Sequence, residues 1–167
     1  MKTLLLLRHA KSSWGDSSAP DFERPLAPRG IADAPRVGHA LQQRGLLPDL
    51  ILSSPALRAT QTIEAVVKAA GLPLLPQFDQ NIYGASSAEL LEIVRRIPDT
   101  ISCAMLVGHN PGFADVVSRL TEASHDMPTA ALACVQFQIE RWTDVEDGGG
   151  KLEWMITPKL LGDKATD

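Results

Sequence analysis

The chain has 167 residues, 44% hydrophobic and 22% charged, with 16 Lys and Arg against 20 Asp and Glu for a net charge of −4. This fits one soluble globular domain that can bury its core without disulfides or a structural metal. The acidic balance argues against a broad nucleic-acid or anionic-membrane face while leaving room for a small basic pocket, and no run approaches the ~20 apolar residues of a membrane helix.

Residues 4–7 are a continuous apolar run, as in a strand buried on both faces, and lead into a polar stretch from Arg8 to Asp21. Residues 29–44 read as a helix closed by Gly45, with Pro35 expected to kink it or mark a late start. Leu50-Ile51-Leu52 is a second buried strand, and Pro55 suits the first turn of a helix over 56–70 that stops at Gly71. A short third strand is expected near Leu74 and Leu75, between two prolines. Ser86-Ser87-Ala88-Glu89 resembles a capping sequence ahead of a helix over 88–96. Residues 101–107 form a fourth strand that ends at Gly108-His109-Asn110-Pro111-Gly112, followed by a helix over 113–120. Two strand-like runs, 133–139 and 152–157, close the chain, and the glycines at 148 to 150 point to a hairpin or a sheet edge.

This alternation predicts an α/β fold, a three-layer αβα sandwich on a mostly parallel sheet with an antiparallel edge. Residues 1–161 are expected to form a single domain and 162–167 a polar, frayed tail. Cys103 and Cys134 lie in apolar runs without metal-ligand spacing and read as buried free thiols. The apolar run at residues 4–7 is too short for a signal peptide, so a cytoplasmic location is expected.

Three polar segments follow strands. Arg8-His9 follows the first, Ser53-Ser54-Pro55-Ala56-Leu57-Arg58 the second, and Gly108-His109-Asn110-Pro111-Gly112 the fourth. Ligands of open α/β sheets bind beyond the carboxyl ends of the strands, so these segments can meet in one cleft. It would hold two arginines and two histidines and require no carboxylate. Arginine forks match phosphate geometry, and one pair at roughly 4 Å is worth about 4 kcal/mol at an effective dielectric of about 20 before desolvation. Arg8 and Arg58 would lower the pKa of His9 and keep it neutral for attack on phosphorus, while His109 would donate to the phosphoryl oxygens.

These residues resemble the histidine phosphatase superfamily, also called phosphoglycerate mutase-like, over residues 3–140. The resemblance implies that fold and a covalent phosphohistidine on His9, with Arg8, Arg58 and His109 completing the catalytic set. Arg8-His9-Ala10-Lys11-Ser12-Ser13-Trp14, Arg24-Pro25-Leu26, Arg29-Gly30, Tyr83-Gly84-Ala85 and Met127-Pro128-Thr129 are similar to the SixA-type phosphohistidine phosphatase branch. Members of that branch act on phosphohistidine in signalling or phosphotransfer proteins, and a compact chain has no room for a cap domain. Mutase-type relatives carry an acidic proton donor just before the Tyr-Gly pair; here Gln80 or Asn81 stands in that place, with Asp79 beside them, and Gly15 replaces a polar residue. Imidazole, with a conjugate-acid pKa near about 6.5, leaves more easily than an alkoxide, so a missing acid favours phosphohistidine over a phosphomonoester.

Ser12, Arg24 and Thr129 are further substrate-binding candidates, Arg24 with an equal claim to holding the loop. Asp16, Asp21 and Glu23 share that loop; one could serve as an acid, but a solvated loop is the reading adopted. His39 and His125 read as solvated or structural. No metal or cofactor is expected. The partner is a phosphorylated protein or a small phosphorylated substrate, with no nucleic acid and no membrane, and the chain reads as a monomer. A phosphatase for a metabolite or other phosphoprotein and a non-catalytic phosphate-binding module remain as alternatives, mutase activity less so.

Overall fold

The computed structural model describes residues 1–15 and 18–162. The expected tail, apart from Gly162, and Asp16 lie outside the described residues. Six strands form one sheet: β1 (Lys2–Arg8), β2 (Leu50–Ser53), β3 (Gln77–Phe78), β4 (Cys103–Gly108), β5 (Leu132–Phe137) and β6 (Gly150–Ile156). Their spatial order is β3-β2-β4-β1-β5-β6. The first four run parallel; β5 lies antiparallel to both β1 and β6. The antiparallel edge expected from the sequence is thus the β5–β6 pair.

Side-chain alternation on β1 builds both cores. Leu5 and Leu7 face α1 (Pro28–Arg44) and α2 (Leu57–Ala70), packing with Val37, Leu41, Ile63 and Val66. Leu4 and Leu6 face α3 (Ser87–Arg95) and α4 (Gly112–Thr121), packing with Leu90, Val94, Phe113 and Val117. A strand buried on both faces reads as an unbroken apolar run for this reason. The result is the three-layer αβα sandwich, and no described helix is long and apolar enough to cross a membrane.

The helix starts differ from expectation in detail. Helix α1 begins at Pro28, where the missing N–H costs nothing, and runs through Pro35 without a late start. Pro55 lies outside α2, whose N-cap is Ala56. The third strand forms at Gln77–Phe78, not at Leu74 and Leu75, and pairs with Leu52 and Ser53. Pro76 has no N–H to give a ladder, so pairing begins only after it. Ser86 and Glu89 form the expected capping box on α3.

The site is positioned by the topology. Neighbouring parallel strands β1 and β4 send the chain to opposite faces, β1 to α1 and β4 to α4. The two connections diverge and open a crevice at the carboxyl ends of the strands, the usual ligand position in such sheets.

Candidate active site

His9 leaves the end of β1, and its N–H donates to the Gly108 carbonyl at 3.0 Å. His109 leaves the end of β4, and the two imidazole centroids lie 5.2 Å apart. Arg58 sits in the first turn of α2, where Thr62 Oγ1 donates to its carbonyl and accepts the Ala10 N–H, tying that turn to the end of β1. His9 and Arg58 are each 6% exposed and His109 8%. The structure therefore brings Arg8, His9, Arg58 and His109, over a hundred residues apart at the extremes, into one recess.

Hydrogen bonds assign roles to the ring nitrogens. His9 Nδ1 lies 2.7 Å from the Ala10 carbonyl. A carbonyl only accepts, so Nδ1 carries the proton and Nε2 the lone pair. His109 Nε2 lies 2.7 Å from Ser54 Oγ, which also accepts the Ala56 N–H. Ser54 Oγ can donate to Nε2 or accept from it, and in the tautomer in which the hydroxyl donates, the His109 proton sits on Nδ1. That nitrogen is buried and finds no partner among the described residues, as do Nε of Arg8 and Nε of Arg58. Buried donors are normally paired, and three orphans around one imidazole mark the place of a missing acceptor.

Burial is the main reason both histidines are neutral. It lowers the His9 pKa to about 4, opposed by the Ala10 carbonyl and assisted by Arg58, Arg8 and Arg24. The sequence assigned this depression to the arginines alone; they contribute, but loss of solvent comes first. Burial likewise lowers His109 to about 3, with His9 and Arg58 adding to it. It also lowers the Arg8 pKa.

The mouth of the recess holds a carboxylate, where the sequence required none. Asp21, in the 3-10 turn Asp21–Glu23, reaches Arg58, with Nη2 3.0 Å from its Oδ2 and Nη1 2.7 Å from its carbonyl. Tyr83 Oη donates to the same Oδ2 at 2.6 Å, and Arg24 Nη1 to Oδ1 at 3.1 Å. The Tyr83 hydrogen bond, ahead of the Arg58 and Arg24 charges, holds the Asp21 carboxyl below the usual carboxylate range although burial opposes it; Tyr83 is raised in return. Asp21 is thus an anion rather than a proton donor. Asp79 caps the turn Gln80–Ile82 by accepting the Asn81 N–H, and Gln80 and Asn81 are exposed, so that segment presents no acid to the recess.

Each nitrogen of Arg24 makes one hydrogen bond within its own loop: Nε to the Ser13 carbonyl, Nη1 to Asp21 and Nη2 to Ser12 Oγ. Its guanidinium carbon also lies 3.6 Å from the centroid of Trp14, which is 73% exposed. Gly30 is required because a Cβ would collide with the Lys11 carbonyl where α1 packs on this loop. Met127 shows what its motif does: its carbonyl accepts from Arg8 Nη1 at 2.9 Å and Asn110 Nδ2 at 2.8 Å. Thr129 lies in the next turn, where Ala130, at φ 60°, donates to the His9 carbonyl. His39 is exposed on α1, and His125 is half-buried in its loop.

Sequence reasoning assigned no role to Ser54 or Tyr83 and read Asp21 only as a solvated loop acid, without its partners Arg58 and Tyr83. Ser54 stood at a strand end inside a quoted motif, which is the signal that could have found it. A recess of about 270 Å³ opens beside His109 between Gly84-Ala85-Ser86 and the start of α4. A larger groove of about 610 Å³ lies between α3 and the β2–β3 edge and includes none of these groups. Among the described residues no cluster of three or more His, Cys, Asp or Glu is placed to hold a metal ion.

Residues 4–82 match the model of the histidine phosphatase superfamily, branch 1. An uncharacterized chloroplastic protein of Arabidopsis thaliana is 36% identical, over 94% of this chain and 78% of its own. The crystal structure of a SixA protein from Agrobacterium tumefaciens superposes with a TM-score of 0.82 at 27% identity, covering 94% of this chain and 98% of that one. A protein histidine phosphatase SixA complexed with tungstate superposes with a TM-score of 0.77 at 23% identity, over 95% and 99% of the two chains, a likeness of fold.

Proposed function

Because this chain belongs to the histidine phosphatase superfamily, whose fold supports a phosphatase, we propose that it removes the phosphoryl group from phosphohistidine in a signalling or phosphotransfer protein. The observation that carries the reading is the trio of buried nitrogens without a partner among the described residues, Arg8 Nε, Arg58 Nε and His109 Nδ1, around a neutral imidazole. A phosphoryl group with about −1.5 to −2 charges supplies the acceptors these donors lack.

The mechanism follows from the assigned nitrogens. His9 Nε2 attacks phosphorus while Nδ1 keeps its proton on the Ala10 carbonyl. The three donors stabilise the equatorial oxygens, whose charge is spread in the transition state. Phosphohistidine forms on Nε2, and water hydrolyses it, returning the electron pair to His9 and leaving both water protons on phosphate. No described residue in the recess is poised to protonate a leaving alkoxide, and this supports imidazole as the leaving group.

The half-exposed mouth suits a phosphorylated side chain presented by another protein. The two buried free cysteines fit a reducing compartment, and the cytoplasm is the location proposed. The test compares turnover of phosphohistidine and phosphoserine peptides by the purified protein. At least about tenfold higher kcat/KM on phosphohistidine is expected; a preference for phosphoserine overturns the substrate assignment.

A further inference from the structure

The nucleophile lies inside the recess and the Asp21 carboxylate at its mouth, with the buried Arg58 guanidinium paired to that exposed carboxylate. His9 is buried at the end of β1, whereas the Asp21 side chain is 52% exposed at the mouth. In-line displacement sends the leaving group away from the nucleophile, toward that mouth. The carboxylate waiting there is held by Tyr83, Arg58 and Arg24. An ionised carboxylate has about four lone-pair positions, and the three donors among the described residues leave about one of them for a ligand. No other acidic side chain is in contact with Arg58 among the described residues.

We infer that Asp21 is the specificity-determining residue of this site: its free lone pair accepts the ring N–H of a protonated phosphoimidazole and so favours a phosphoramidate over a phosphomonoester. The inference rests on the phosphohistidine reading above and names what enforces it.

The balance of the step explains why a base in this position helps. Phosphohistidine bonded to phosphorus at one ring nitrogen and protonated at the other leaves as neutral imidazole. The lone pair of His9 Nε2 forms the new P–N bond, the old P–N bond breaks, and its pair stays on the departing nitrogen. No proton moves. Without the second-nitrogen proton the same ring would have to leave as an anion. Arg8, Arg24 and Arg58 all disfavour a cation in the recess, so a bound ring tends to lose that proton. The Asp21 carboxylate opposes this loss. Toward an alcohol it does the reverse, because an oxygen gaining negative charge would face a fixed anion with no proton to accept.

The test is Asp21→Asn, which keeps the side-chain shape and one acceptor oxygen for Tyr83 or Arg58. Wild type and D21N are assayed on a phosphohistidine peptide and on p-nitrophenyl phosphate, whose phenolate leaves unaided. The ratio of kcat/KM values, phosphohistidine over p-nitrophenyl phosphate, is expected to fall by about 10- to 100-fold in the variant, the worth of one hydrogen bond to a charged group. An unchanged ratio, with both substrates weakened together, overturns the inference and leaves Asp21 as a clamp on Arg58. Failure of the wild type to turn over the phosphohistidine peptide overturns the substrate reading itself, and the inference with it. The two failures are therefore distinct.

Discussion

The floor of the recess and its mouth are built by different means. On the floor, His9 and His109 project from neighbouring central strands, and each ring is fixed by one local partner, the Ala10 carbonyl and Ser54 Oγ. At the mouth, Asp21, Arg24, Tyr83 and Trp14 belong to loops and 3-10 turns, and they hold one another through ion pairs and ring contacts across as many as 62 positions of sequence. The floor supplies the reaction and the mouth selects what reaches it. Changes to the floor should therefore act on every substrate alike, and changes to the mouth on some more than others.

The largest effect tests that division at its base. His9→Ala removes the nucleophile and should lower kcat by on the order of 10⁴-fold or more on any phosphorylated substrate, with loss of acid-labile phosphate from the protein after exposure to a phosphodonor. A variant that still turned over would return the floor to a binding role, as in a phosphate-binding module.

Next comes Ser54→Ala. It leaves His109 Nε2 unpaired in a buried position and frees the ring to take the other tautomer. A loss of about 1–3 kcal/mol in unfolding free energy and of roughly tenfold in kcat is expected, equal for phosphohistidine and phosphomonoesters, by denaturant titration and steady-state assay. A loss confined to one substrate would blur the boundary between the two regions.

The pH profile sharpens the same boundary. His9 must be neutral to attack, and its pKa lies at about 4, below its ordinary 6.5. With p-nitrophenyl phosphate, kcat/KM should hold level as pH falls from 7 to about 5 and drop only near pH 4. Stability moves earlier. Between the ordinary 6.5 and the folded values of about 4 and 3, the unfolded chain binds more protons at these histidines than the folded one. Their contribution is fully present above about pH 6.5 and is lost as pH falls through that window, which thermal melts across pH would follow.

The smallest expected effect belongs to the mouth. Trp14→Ala removes the ring under Arg24 at an exposed position, a contact worth about 0.5–1 kcal/mol. A two- to threefold rise in KM for a phosphoprotein, larger than that for p-nitrophenyl phosphate, is expected, with kcat nearly constant.

The same contrast governs what could be read from the sequence. The sheet was legible because β1 and β4 are buried on both faces and appear as unbroken apolar runs, with polar residues directly after them. That pattern alone places Arg8, His9 and His109 at strand ends. The third strand was expected but placed a few residues early, because two residues beside a proline leave no pattern. Asp21 was legible as a loop acid and nothing more, since its partners Arg58 and Tyr83 come together only through the packing of α2 and the turn at Gln80–Ile82. Burial, the leading cause of the low His9 pKa, likewise belongs to the folded state; a sequence shows neighbouring charges but not the removal of water.

The nucleophile's amide, just past the end of the strand on which both cores are built, is bound to the Gly108 carbonyl of the neighbouring β4. In hydrogen exchange that amide should rank with the slowest in the molecule and open only with the whole sheet, while amides around Trp14 and Asp21 exchange by local opening. Sublethal warming would then erode substrate choice well before it erodes the capacity for phosphoryl transfer. A partly heated sample should become a less discriminating phosphatase before it becomes an inactive one.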